Sequence, residues 1–360
     1  MIALSAWLNH GPRTDRAART PRGLLVCCLA LLMAGCATAA ADPVSRAPID
    51  PAPTAHLGPP PADPTWPVTA PTAGRPSVAA DPSGEATRSR RTTRHPQAEL
   101  PGGGRVLFPT DRLVALYGHP GMPGLGALGE QDVQAGIARA ADLAAQYQPL
   151  SDRPVVPTFD IIASYADTSP GPDGNYSEES PVDSLRPWVE AAGRAGMYVV
   201  LDLQPGRTDF LTQAQTYRDL LTLPYVGLGL DPEWRIGRSQ VPGDQIGAVD
   251  AAEVNTVITW LADLTTTADL PQKLLVIHQF DPATLRDENT LDVSHPQVAV
   301  LLQMDGQGTP DVKDRAWQAV TTAAPPGVRY GWMNLGQDTP MLTPAQTMSK
   351  QPTPWMITHQ

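Results

Sequence analysis

Residues Leu113–Gly129 read LVALYGHPGMPGLGALG, an apolar run followed by a glycine-rich turn, and the reading of that turn separates two folds. Gly124-Leu125-Gly126-Ala127-Leu128-Gly129 has the G-x-G-x-x-G spacing of a dinucleotide-binding turn, where glycines let the backbone approach a pyrophosphate. In that motif the glycines join a strand directly to a helix. Here Pro120 and Pro123 separate them from the strand, and no acidic residue ends the next strand where a ribose would be held. The turn therefore favours a (β/α)8 barrel, with a doubly wound open sheet as the alternative.

The rest of the chain repeats the same alternation. Apolar, β-rich runs occur at Leu113–Gly118, Val155–Ala163, Tyr198–Leu203, Tyr225–Leu230, Leu274–Phe280, Val298–Met304, Arg329–Leu335 and Trp355–His359. Between them, helical patterns are expected at 131–147, 182–195, 209–221, 251–264, weakly at 283–290, then at 312–322 and 344–350. Asp250-Ala251-Ala252-Glu253 and Thr343-Pro344-Ala345-Gln346 read as capping boxes. Strand and helix in alternation imply parallel strands joined by crossover helices, and residues 104–360 match the ~250 residues of such a barrel.

Charge and composition narrow the function. The 360 residues carry a net charge of −11, and residues 104–360 hold 16 basic against 30 acidic side chains. An acidic body does not neutralise phosphates, so no nucleic-acid partner is expected. All three cysteines, Cys27, Cys28 and Cys36, precede the barrel, which excludes thiolate catalysis and sulfur-ligated zinc there.

Four arginines between Arg13 and Arg22 precede the uncharged run Gly23–Gly35, a signal-peptide layout in residues 1–35. Leu32-Met33-Ala34-Gly35-Cys36 resembles the lipobox of bacterial lipoproteins, which implies diacylation of Cys36 and anchoring to the outer face of the cytoplasmic membrane. Residues 36–103, with 14 prolines and no apolar period, are expected to be a disordered spacer.

Barrels of this kind collect their chemistry at the C-terminal strand ends. The residues there are Tyr117 and His119, Asp160, Asp202 and Gln204, Asp231 with Glu233 and Trp234, His278 and Gln279, Asp305, Asn334 and His359. Buried strands have no use for unpaired terminal carboxylates, so an acidic mouth is expected. Glu233 is the candidate acid, with Asp231, Asp202 or Asp305 as its partner; the others are candidate substrate contacts. Gly227 and Gly229 would leave room beside Asp231.

The segment Val226–Glu233 resembles the D-x-x-D-x-D-x-E signature of chitinase-type glycoside hydrolases in its last two acidic positions, Asp231 and Glu233, with Val226 and Gly229 in place of the first two aspartates. That likeness implies glycan cleavage by paired carboxylates. More of residues 105–360 is similar to uncharacterised actinobacterial lipoproteins, through YGHPGMPGLGALGE, YVVLDLQPG, LDPEWR, QIGAVDAAEVN and LLVIHQF. This second likeness implies an envelope location and a barrel.

Three functions stay open: a glycosidase-like enzyme on an envelope polysaccharide, a non-catalytic envelope protein that binds a glycan or another protein, and a metal-dependent hydrolase built on His119, His278 and His359 with Asp160 or Asp305 as carboxylate ligands. No tight ligand spacing is present, so neither metal nor cofactor is expected.

Overall fold

The computed structural model describes residues 97–360. The expected signal segment, the expected lipidation site Cys36 and the expected spacer up to residue 96 lie outside the described residues. Eight parallel strands form a closed barrel: β1 (Arg112–Gly118), β2 (Val155–Ala166), β3 (Tyr198–Leu203), β4 (Val226–Leu230), β5 (Lys273–His278), β6 (Val298–Met304), β7 (Arg329–Asn334) and β8 (Met356–His359). Each pairs with the next, and β1 pairs with both β2 and β8, so the sheet has no free edge. All eight correspond to the expected runs.

Side chains alternate between two cores. Leu113, Ala115, Tyr198, Val200, Leu274 and Met356 pack along the barrel axis, while Phe159, Ile161, Leu201, Leu228, Ile277 and Leu302 face the surrounding helices. Leu100, Leu107 and Phe108 join the axial group from the segment that precedes β1. The packed residues thus begin ahead of Gly104: Leu100 is buried although its neighbours read as proline-rich spacer.

The crossovers carry α1 (Val133–Tyr147), α2 (Val182–Arg194), α3 (Phe210–Thr216), α4 (Arg218–Leu221), α5 (Ala251–Thr267), α6 (Pro310–Ala323) and α7 (Pro344–Met348). Asp132 and Asp209 cap α1 and α3 by accepting from Ala135 N and Thr212 N, and Thr343 with Gln346 forms the expected capping box.

Three expectations fail for local reasons. The helix expected over 209–221 breaks at Tyr217, whose hydroxyl donates to the Ala163 and Ser180 carbonyls and pins that residue to the barrel. The weak helix near 283–290 is absent. Pro282–Thr284 and Glu288–Thr290 are single 3-10 turns, Asp287 lies in the left-handed region at φ 55°, and Leu285–Arg286 pairs with Val249–Asp250. The Asp250–Glu253 capping box does not form either, because Arg286 takes the Asp250 carboxylate and Glu253 is drawn to Arg235 and the Phe210 amide.

The glycine-rich turn has a structural explanation. A Cβ on Gly118 would lie 2.7 Å from the Gly126 carbonyl carbon, and one on Gly126 would lie 2.8 Å from the Gly118 Cα. Two backbones meet at this point, and both glycines have positive φ. The turn folds back onto its own strand end.

Leu100→Ala should lower unfolding stability by about 2–5 kcal/mol, the cost of emptying a buried leucine site. Urea denaturation checks it, and an unchanged midpoint would return residues 97–103 to the spacer.

Candidate functional site

The inward face of the barrel turns from apolar to ionisable near its C-terminal end. Asp160 on β2, Asp202 at the end of β3 and His278 at the end of β5 are at most 1% exposed. Asp231 and Asp305 follow β4 and β6 by one residue, and Glu233 sits in the single 3-10 turn Pro232–Trp234. These acids converge on one ring. His278 Nε2 lies 3.7 Å from Asp202 Oδ1, while Nδ1 lies 3.7 Å from Asp231 Oδ1 and 3.4 Å from Asp305 Oδ2. Tyr117 Oη donates to Asp202 Oδ2 at 3.3 Å.

Few of these groups are satisfied. Both oxygens of Asp160, Oδ1 of Asp202, Nε2 of His278, Oδ1 of Asp305 and Oε2 of Glu233 are buried without a hydrogen-bond partner. Burial, then the neighbouring Asp202, pushes the Asp160 carboxyl up to about 8. Burial also raises Asp231 well above the usual range, helped by Asp202 and Glu233; Glu233 rises through burial and then Asp305. Burial pulls the His278 imidazole down, but Asp202, Asp231 and Asp305 outweigh it and hold the ring protonated well above its ordinary value. One imidazole cannot balance five carboxylates in a dry site, so some acids hold protons at neutral pH. A protonated carboxyl beside an ionised one is the equipment of acid–base hydrolysis.

Two glycines make the cluster fit. Gly229 pairs across the sheet with Asp202, and a Cβ there would lie 2.3 Å from Asp202 Oδ1. Gly331 on β7 does the same for Gln303, whose Oε1 would lie 1.8 Å from an added Cβ. The expected opening beside Asp231 is therefore space for Asp202, while Gly227 instead allows close approach to the Leu274 carbonyl and the Tyr198 hydroxyl.

Other strand-end residues point elsewhere. His119 Nε2 lies 2.8 Å from Ser180 Oγ, with its ring edge-on to Tyr165. His359 Nε2 lies 2.9 Å from Tyr147 Oη, and burial pulls that imidazole down to about 4. Asn334 donates to the same Tyr147 hydroxyl and accepts from Trp332 Nε1, so Asn334 and His359 belong to the layer between barrel and helix. Gln279 donates to Glu288, and Gln204 accepts from the Ala166 amide. Trp234 is half-buried. The three strand-end histidines do not converge: His119 and His359 drop out of the expected mixed ligand set, and His278 alone lies with acids, Asp160 and Asp202 in one group and Asp231 and Asp305 in another.

Gln303 is the inward residue that strand-end reasoning missed. It is fully buried on β6 with neither amide atom bonded, two residues before Asp305. A glutamine inside the run VAVLLQM was its signal in the sequence.

A cavity of about 410 Å³ is lined by Arg235, Ile236, Gln240, Asp250, Glu253 and Arg286 among others, and by none of the clustered acids. It begins two residues beyond Glu233 in the chain and is walled by charged side chains.

No protein-family model matches the chain, and a search of curated proteins finds no match.

Gly229→Ala should destabilise the fold by about 1–3 kcal/mol, since the methyl displaces the Asp202 carboxylate from a packed interior. At an open strand position the same change is mildly stabilising. Urea melts therefore test the sign: a gain would mean that the carboxylate has room to move.

Proposed function

We propose that the barrel is a hydrolase acting on a glycan of the cell envelope, with Glu233 as acid and Asp305 as the partner carboxylate. The observation that carries this reading is the convergence of acids from β2, β3, β4 and β6 on the histidine that ends β5, at the C-terminal mouth. Asp305 is preferred as partner because its side chain is 11% exposed, against 0% for Asp202 and 3% for Asp231. A substrate bond must reach the reacting groups, and the two innermost acids are sealed.

In this reading the glycosidic C–O bond breaks as Glu233 delivers its proton to the departing oxygen. Water supplies the hydroxyl that ends on the anomeric carbon, and its proton returns to the carboxyl pair. His278 Nδ1, 3.4 Å from Asp305 Oδ2, orients that carboxylate. The likeness of Asp231-Pro232-Glu233 to the end of the chitinase-type signature supports the same assignment.

A second reading is a non-catalytic envelope protein that binds a glycan or another protein. It draws on the deep burial of the cluster and on a separate cavity with charged walls.

Glu233→Gln is nearly isosteric and should keep the fold while lowering glycan cleavage by about 10²–10⁴-fold, the usual contribution of a general acid. Release of reducing ends from purified envelope polysaccharide measures it. Undiminished cleavage would refute the assignment, and absence of cleavage by the parent chain would favour the binding protein.

The lipobox-like sequence places this barrel, in the same proposal, on a membrane tether through Cys36. Two acyl chains hold a protein stably, whereas one binds only marginally. Cys36→Ala should therefore move the protein from the membrane pellet to the soluble fraction, and an unchanged pellet would remove the anchor from the proposal.

A further inference from the structure

We propose that the innermost part of the cluster is a binding site for one divalent transition-metal cation, held by His278 Nε2, Asp202 Oδ1 and a carboxylate oxygen of Asp160. This inference does not depend on glycan hydrolysis, because it concerns groups lying beneath the proposed acid pair.

The first argument is satisfaction. Four donor atoms, the two Asp160 oxygens, Asp202 Oδ1 and His278 Nε2, are buried side by side without a partner. Buried polar atoms are nearly always bonded, and an orphan costs free energy that a ligand recovers. A cluster of acids alone is weak evidence. Here an imidazole nitrogen, 99% shielded from solvent, also faces them with no partner of its own.

The second is spacing. One atom from each of Asp160, Asp202 and His278 lies within 4.8 Å of the others, and the Nε2 to Oδ1 distance is 3.7 Å. Nitrogen and oxygen ligands sit ~2.0–2.2 Å from zinc, which places neighbouring donors about 3–3.5 Å apart. The His278–Asp202 gap closes with a shift of a few tenths of an ångström, and the Asp160 oxygen, within 4.8 Å of both, has up to about 1–2 Å to move.

The third is support around the ligands. A metal-bound histidine usually directs its other ring N–H at a carboxylate, which fixes the tautomer. His278 Nδ1 faces Asp305 and Asp231. The Tyr117 hydroxyl holds Asp202 Oδ2, leaving Oδ1 to turn toward the imidazole, and glycine at 229 keeps the space beside that oxygen. Asp231, His278 and Asp305 form a second group within 4.8 Å on the Nδ1 side, but it lacks the doubly orphaned Asp160 carboxylate.

The ligand chemistry selects the class of ion. Calcium and magnesium prefer all-oxygen shells, whereas one imidazole with two carboxylates suits Zn²⁺, Mn²⁺ or Fe²⁺. The three ligands come from β2, β3 and β5, so no linear motif marks them.

The full chain, purified in detergent and stripped with EDTA, is titrated calorimetrically with MnCl₂ and with ZnSO₄. The expected result is one equivalent of Mn²⁺ or Zn²⁺ and a higher melting temperature, with Mg²⁺ and Ca²⁺ much weaker. Loss of a carboxylate around a metal-bound histidine costs about 10–100-fold in affinity, so Asp305→Asn should weaken binding by that factor; Asp160→Asn and His278→Gln, which remove ligands, should weaken it more. Glu233→Gln should bind as the parent does. Without any substitution, Zn²⁺ should shift the ¹⁵N resonance of His278 Nε2 into the metal-bound range. No binding of either metal at millimolar concentration, an unshifted imidazole, or parent-like affinity in both ligand variants would overturn the site. Turnover is measured separately: metal bound without cleavage removes only the glycan reading, and cleavage by a chain that binds neither metal removes only this one.

Discussion

A single imidazole surrounded by carboxyl groups in a space closed to water is the constraint around which this barrel is built. Among the described residues His278 is the only basic group within 4 Å of Asp202, Asp231 and Asp305, and all of these acids but Asp305 are nearly sealed. Gathering these charges is costly, because each carboxylate loses its hydration and repels the next. The closed hydrogen-bonded wall and the two apolar cores have to supply the stability that offsets it. Such a cluster has no role in holding the barrel together. Its persistence is the physical reason to read the mouth as functional.

Space is the second condition. A carboxylate at Asp202 and a carboxamide at Gln303 both project inward at levels where a barrel ordinarily interleaves apolar side chains, and each is accommodated by a glycine in van der Waals conflict with any larger residue. The glycines of YVGLGL are thus consequences of the neighbouring strands. Gly229 answers Asp202 across the sheet, and Gly331 answers Gln303. Small residues on one strand and polar residues on the next are one packing decision.

The fold was largely legible in the sequence because each strand is a short apolar run buried on both faces and closed by turn residues. That signal is local. The site was legible only in part: Asp160, Asp202, Asp231 and His278 stand out as ionisable groups in or beside apolar runs, but the direction each side chain takes depends on strand parity and register. Gln279 and His359 look equivalent to His278 in a list of strand ends, yet each projects toward the helical layer and finds a partner there. The absent helix after β5 was equally hidden. Its place is decided by Arg286 reaching Asp250 and by Gln279 holding Glu288, contacts between segments far apart or outside any helical repeat.

The mouth is also tied together from outside. Lys313 on α6 is buried against Asp338 and donates to the Met333 carbonyl at 2.7 Å. Asp338 in turn accepts from the Gly308 amide at 3.1 Å and the Leu335 amide at 3.0 Å. One buried ion pair therefore joins the loop after β6, which begins with Asp305, to the loop after β7. Removing either partner would leave an uncompensated charge, so the pair is a strong constraint even where its net contribution to stability is small. The loop that begins with Asp305 is tied through the Gly308 amide to Asp338, whereas Asp160 and Asp202 sit on β-strands. That division suits a site in which the buried layer stays fixed and the outer carboxylate meets whatever approaches from solvent.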